Sequence, residues 1–323
     1  MVGKPDALMT QALVHRPVLL REVLDGLAVR PGGIYLDATF GRGGHAAAIL
    51  ERLGPEGRLY AIDKDPEAER VALERFGRDT RFHIQRGTFA MLGHLARGQD
   101  IAGRVDGLLL DLGVSSPQLD DPGRGFSFLT DGPLDMRMDP EQGLSAAQWL
   151  AQAGEAEIVR VLQEYGEERF ARRIARTLLR ARAECAITTT RQLSELIAAA
   201  VPARERHKHP ATRSFQALRI QVNQELPELA AALEQVIEVL APGGRLAVIS
   251  FHSLEDRMVK RFMRRESRGE ELPLGLPVTG GPPPGRMRLL GKAVRASADE
   301  VAANPRARSA VLRVAERAAE PVA

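Results

Sequence analysis

Four features of this chain combine residue types and spacings that could do chemistry. A glycine-rich turn, Gly41-Arg42-Gly43-Gly44-His45-Ala46, satisfies the pattern G-x-G-x-x-A and follows an apolar run at 34–40. Glycine tolerates dihedrals that other residues avoid, so such a turn lets the backbone approach a nucleotide closely. Asp63 closes a second apolar run, about 20 residues beyond the turn, where a carboxylate accepts hydrogen bonds from ribose hydroxyls. Asp37 lies in the first run, just before the turn. Asp111 lies near the end of a nearly all-apolar run at 105–112 and leads into Gly113-Val114-Ser115-Ser116-Pro117-Gln118. A lone carboxylate is costly to bury, so an acid at that position points to function rather than folding.

The glycines and Asp63 serve a dinucleotide or S-adenosylmethionine equally well. Asp37 separates the two: a carboxylate repels a pyrophosphate but suits the cationic amino group of S-adenosylmethionine. Plainer readings stand beside these, with the turn serving packing alone and Asp37 serving only as a helix cap.

The elements that must position these residues follow from periodicity. Helical spacing at 18–27 predicts a helix across the mouth of the fold. Residues 34–40, 58–63, 81–85 and 105–112 read as strands, with a helix at 45–53 and another opening at Asp65-Pro66. The strand due next appears only at 245–251, although a crossover with its helix needs little more than about a dozen residues. The interval carries a Gly/Pro/Asp-rich loop at 120–140. Helical patterns follow at 145–153, 155–165, 167–183, 190–201 and 211–221, then a crossover helix at 227–240 ended by Ala241-Pro242-Gly243-Gly244. A long Pro/Gly loop at 272–285 and a last strand at 309–315 complete the chain. A helical domain is therefore inserted into a nucleotide-binding α/β sheet beside the loops that hold its active site.

Composition is that of a globular protein, 44% hydrophobic and 27% charged, with a net charge of only +3. Basic residues cluster instead: Arg204, Arg206, Lys208, Arg213 and Arg219; Arg257, Lys260, Arg261, Arg264, Arg265 and Arg268; and Arg306, Arg308, Arg313 and Arg317. Such clusters suit a phosphate backbone, or form solvated helix faces. The single cysteine, Cys185, excludes an internal disulfide and is expected as a small buried filler. The sequence has no apolar run of the ~20 residues that span a bilayer and no secretory leader pattern, so the expected compartment is the cytoplasm.

The chain resembles, along its length, the bacterial small-subunit rRNA (cytosine-N4)-methyltransferases of the RsmH, or MraW, type. The matching segments include His15–Leu20, Phe40–His45, Ala61–Asp63, Asp111–Asp121, Gly125–Phe128, Asp131–Asp139, Tyr165–Phe170, His209–Gln216, Ser250–Arg257 and Asn304–Arg308. The resemblance implies a class I, Rossmann-like methyltransferase fold with an inserted all-helical domain. The core would comprise 1–139 and 224–323, and the insertion 140–223, which would recognise RNA. It also implies S-adenosylmethionine as methyl donor, held by Gly43, Gly44, His45, Asp63, Phe89, Asp111 and Gln118, with no metal. The implied acceptor is a cytidine in the decoding region of 16S rRNA in the small ribosomal subunit. The oligomeric state is left open, a homodimer included.

For such chemistry the task is in-line positioning. The N4 lone pair of cytosine is delocalised into the ring, so an acceptor for its proton helps. The Asp/Asn-Pro-Pro-aromatic motif of DNA amino-methylating enzymes is absent, and Asp111-Leu112-Gly113-Val114 stands in its place. Asp111, assisted by Ser115 or Ser116, is the expected acceptor; the competing reading is that it only binds cofactor. Phe126, Phe128 and Trp149 are candidates to stack on an extruded base, with Trp149 also suited to a core. His252 and Asp256 could face the substrate or serve structure, and residues 204–219 are expected to meet phosphates. The rivals are an NAD-dependent dehydrogenase, which leaves Asp37 and the basic clusters unexplained, and a non-catalytic rRNA-binding assembly factor, which needs neither the turn nor Asp111.

Overall fold

The structure is a computed structural model and describes residues 17–202, 209–268 and 285–322. His15, Arg16, Arg204, Arg206, Lys208 and loop residues 272–284 lie outside the described residues.

Five parallel-paired strands form the centre: β1 (Ile34–Asp37), β2 (Arg58–Asp63), β3 (Phe82–Arg86), β4 (Val105–Asp111) and β5 (Leu240–Ser250). Three antiparallel strands extend one edge: β6 (Gly285–Leu289), β7 (Val294–Arg295) and β8 (Val311–Val322). The order across the sheet is β3-β2-β1-β4-β5-β8-β6, with β7 pairing to β8. Order reverses beside β1, the switch point where open α/β sheets bind ligands. Parallel strands covered on both faces read as near-continuous apolar runs, and β4 does so at Leu108–Leu110. Leu108 and Leu110 enter one core with Leu246 and Val248 of β5, while Leu109 enters the other with Ala247 and Ile249.

Helices α1 (Leu20–Leu27), α2 (Gly44–Leu50) and α3 (Pro66–Phe76) cover the second of these faces, and α4 (Leu92–Gly98) covers the first. Asp65 caps α3 by accepting from the Glu67 N–H at 3.0 Å, with Pro66 at the first helical position. After β4 come the short α5 (Ser116–Asp120), then α6 (Ala146–Gln152), α7 (Glu155–Glu164), α8 (Ala171–Glu184), α9 (Thr190–Ala200) and α10 (Thr212–Asn223). The chain returns through α11 (Glu225–Val239) and, after β5, adds α12 (Ser253–Arg268) and α13 (Ala298–Ala303). Residues of α6–α10 bury a third core, which also takes in Phe126, Leu134, Met136 and Met138 from the preceding loop.

Two sequence expectations fail locally. The strand expected from 245 starts earlier: α11 ends at Val239 as expected, but Ala241–Gly244 already belongs to β5, whose register against β4 slips between Val105 and Gly107. Cys185 is exposed, because α8 ends there and its cap position turns outward.

Candidate active site

The carboxyl edge of β1, β2 and β4 opens onto a cavity of about 310 Å³, at the small end of the range for ligand pockets. The glycine turn forms its first wall through Gly41, Arg42, Gly44 and His45. Gly43 does not line the cavity. It adopts φ 72° as the N-cap of α2, and a Cβ there would stand 2.5 Å from the Phe40 ring. Its part is to make the turn possible. Gly44 is packed as tightly, with Pro17 2.5 Å from the position of its absent Cβ.

Asp63 and Asp65 form the second wall. Asp63 accepts from Gly41 N–H at 2.7 Å and from Asp65 N–H at 2.9 Å, one bond to each oxygen. Burial, resisted by these two N–H groups, pushes its carboxyl up to about 6. Asp65 Oδ2 takes Gln118 Nε2 at 2.7 Å and Arg124 Nη1 at 3.0 Å. Gln118 is fixed at its other end as well, accepting the Ser115 N–H at 2.9 Å. Phe89 opens a short 3-10 turn capped by Thr88 and lines the same cavity.

Asp111 ends β4 at the cavity's edge. Its backbone N–H donates to Thr39 Oγ1 at 2.6 Å, and its Oδ2 lies 3.5 Å from Nδ1 of His45. Its Oδ1 is buried with no hydrogen-bond partner among the described residues. Burial holds this carboxyl well above its ordinary value, and the carboxyls of Asp37 and Glu255 add to the effect. Arg219, Phe251, Asn304 and Arg306 line the cavity with it. Arg219 is held by Glu225, which accepts from Nε and Nη2, each at 2.8 Å.

Six of the seven residues expected to hold cofactor therefore line one cavity: Gly44, His45, Asp63, Phe89, Asp111 and Gln118. Asp37 is absent from it. It is 1% exposed, accepts the Thr39 N–H at 3.1 Å and lies behind the wall, where burial pushes its carboxyl up to about 7. Asp256 pairs with Arg313 at 2.7 and 3.1 Å, and neither it nor His252 lines the cavity. Phe126 and Trp149 are buried in the helical core, and Phe128 packs on Phe215 and His209.

Two basic clusters also read differently in three dimensions. Arg219 is only partly exposed, turned to the cavity and paired with Glu225, and Arg306 and Arg313 pair with Asp120 and Asp256. On α12, Lys260, Arg261, Arg264 and Arg268 are exposed, as expected of a phosphate-binding face. Sequence reading missed Asp65, Arg124 and Glu225, and also the exposed Arg172, Arg173 and Arg180 on α8. The α8 arginines had a signal, since they sit opposite the buried Ile174, Ala175 and Leu178. Among the described residues, Glu225, His252 and Glu255 bring ligand-type atoms within 4.8 Å of one another. Arg219 already takes both oxygens of Glu225, and the Phe251 and His252 N–H groups take Glu255 Oε2. This group is an ion-pair network.

The strand order and the acidic cleft at the switch point define a class I methyltransferase fold. The MraW methylase family model matches residues 12–318, and the chain belongs to that family. It is 65% identical over 320 residues to the ribosomal RNA small subunit methyltransferase H of Thioalkalivibrio sulfidiphilus (strain HL-EbGR7), covering 99% of this chain and 100% of that one. Among solved structures it is similar to an rRNA methylase from Streptococcus thermophilus (TM-score 0.41, 12% identity, 95% of this chain and 99% of that one). A SAM-dependent O-methyltransferase from Thermotoga maritima gives a TM-score of 0.41 at 12% identity, over 93% of this chain and 65% of that one. Both structural likenesses are remote. Among the described residues no helix is long and apolar enough to cross a membrane.

Proposed function

We propose that this protein methylates the exocyclic N4 of a cytidine in the decoding region of 16S rRNA, in the cytoplasm, with S-adenosylmethionine as donor. One observation carries the chemistry: in a chain of the MraW family, the strand-end carboxylate of Asp111 stands at the cavity wall with a buried oxygen that no described residue satisfies. The donor set fits a cationic cofactor. Asp63 suits either nucleotide class, whereas Asp111 at the cavity's edge would repel a pyrophosphate, which disfavours a dinucleotide.

S-adenosylmethionine supplies a methyl group already activated on a sulfonium. Asp63 would hold its ribose, the 41–45 turn would follow it closely, Phe89 would flank its adenine, and Gln118 with Asp111 would close the site. That methyl group would pass to N4 in line with the departing sulfur, and Asp111 would accept the N4 proton. Phe251 and Arg219 form the wall on which the extruded base rests. The helical unit, 140–223, and α12 grip the surrounding RNA, as their exposed arginines support.

The test incubates the protein with radiolabelled S-adenosylmethionine and small ribosomal subunits from cells lacking the activity, then digests the RNA to nucleosides. The expected result is label in N4-methylcytidine. Label in another nucleoside, or in none, overturns the reading.

A further inference from the structure

We infer that Arg219 reads the acceptor edge of the extruded cytosine, its unclaimed N–H groups donating to N3 and O2 while N4 faces Asp111. The inference rests on the acceptor and reaction proposed above.

The way Arg219 is held carries it. Glu225 opens α11, and its two oxygens take Nε and Nη2 of Arg219, each at 2.8 Å. The arginine side chain is only 16% exposed, and it lines the cofactor cavity. A guanidinium carries five N–H donors in a rigid plane. Glu225 takes two of them, and no described group takes the remaining donors on Nη1 and Nη2. The carboxylate offsets the charge and fixes the plane, so the spare donors are aimed before any base arrives. Such donors in a confined site favour whatever ligand accepts from them.

A chain of contacts places this edge beside Asp111. Asp111 pairs in register with Ile249 of β5. Phe251, two residues further on, lines the cavity. Its N–H and that of His252 donate to Glu255 Oε2 at 2.8 and 3.2 Å. Glu255, His252 and Glu225 bring side-chain atoms within 4.8 Å of one another. The Glu255 charge also acts on both Asp111 and Arg219. Arg219 therefore stands at the ends of β4 and β5, with Asp111, whereas Asp63 and Phe89 follow β2 and β3. The other cations of the cavity do not share that place. Arg42 and Lys64 follow β1 and β2 and pair with Glu67 and Glu228, and Arg306 sits in an exposed pair with Asp120.

Along its Watson–Crick edge, cytosine presents a donor at N4 and acceptors at N3 and O2. Asp111 and Arg219 offer the complement, an acceptor followed by donors. Uracil would set O4 against the carboxylate and its N3–H against the guanidinium. Guanine reverses all three positions. Adenine matches at N6 and N1 but lacks the third acceptor and carries a second ring. An extruded base is read on this edge, and a wrong base leaves the site's polar groups unpaired, which is where discrimination is strongest. Arg219 is the specificity residue in this scheme, and Glu225 is the positioning residue that aims it.

A double-mutant cycle between protein and RNA tests the contact. Small subunits are reconstituted with cytidine or 3-deazacytidine at the position that native protein labels. The analogue keeps the amine and O2 and replaces N3 by C–H. Native protein and Arg219→Gln are compared in kcat/KM with radiolabelled S-adenosylmethionine. The expected result is a loss of roughly 10–100-fold on the analogue for the native protein, and a clearly smaller loss for the variant. The altered reactivity of the analogue's amine enters both arms and cancels, and so does any general effect of the substitution on the fold. Calorimetric titration with S-adenosylhomocysteine, unchanged in the variant, reports an intact cofactor site. Should Arg219→Gln fail to bind it, the cycle is run with Arg219→Lys, which keeps a cation for Glu225 and loses the planar fork. Equal losses in native and variant proteins overturn the inference and leave the proposed reaction standing. A native protein indifferent to N3 overturns it in the same way. If subunits with cytidine take no label at N4, the reaction itself falls, and the reading of the base with it.

Discussion

Asp37 offers a direct test of how burial governs this sheet. It is 1% exposed, its one hydrogen bond comes from the Thr39 N–H, and burial, with the Asp63 charge nearby, pushes its carboxyl from an ordinary 3.8 to about 7. The folded protein therefore binds this proton more tightly than the unfolded chain does. Stability from it is fully present below pH 3.8, declines as pH rises, and is lost above pH 7. At about 1.4 kcal/mol for each tenfold change in proton concentration, the ionised side chain costs the folded state on the order of 4 kcal/mol above that window. Asp37→Asn keeps an oxygen for the Thr39 N–H and removes the charge. The variant should exceed the native protein in unfolding free energy by a few kcal/mol at pH 8, with the gain shrinking toward zero near pH 4. Urea unfolding followed by far-UV circular dichroism at several pH values measures it, as a midpoint shift at constant slope. A gain equal at both ends of the range, or larger in acid, would refute the reasoning.

Other perturbations probe the turn and the RNA face. Gly43→Ala forces an L side chain to φ 72° and drives a Cβ into the Phe40 ring. It should cost about 1–3 kcal/mol and weaken S-adenosylmethionine binding, by thermal denaturation and titration; native values for both would show that the turn adapts. Replacing Lys260, Arg261, Arg264 and Arg268 of α12 by glutamine should lower the salt slope of small-subunit RNA binding by about 0.7–0.9 for each lost phosphate contact, with cofactor affinity unchanged. The same change at Arg172, Arg173 and Arg180 should act likewise, and an unaltered slope would exclude the face in question.

Much of the fold is written locally. The nearly continuous apolar run marks β4, the Asp-Pro pair marks the start of α3, and the glycine turn marks the switch point, because each is a constraint the chain meets within a few residues. The cavity residues Gly44, Asp63 and Asp111 were legible for the same reason, since glycines and strand-end acids are anomalous where they stand; His45, Phe89 and Gln118 came from the family resemblance alone. The start of β5 was misread because Ala-Pro-Gly-Gly suits a loop after a helix as well as a bulged strand, and only the pairing of Leu240 with Val105 decides between them.

What tertiary structure decides is which charges meet. Asp37 and Asp63 are both strand-end acids in the sequence, yet one is sealed behind the wall and the other lines the cavity. Arg219 belongs to a basic run, but Glu225 draws it inside, and Asp120 and Asp256 likewise claim Arg306 and Arg313. The contact of His45 with both Val18 and Asp111 joins three separate segments. Sequence determines which groups can ionise. Burial and the partners brought by folding set the energy of each charge, because Coulombic and desolvation terms depend on distance in space rather than along the chain.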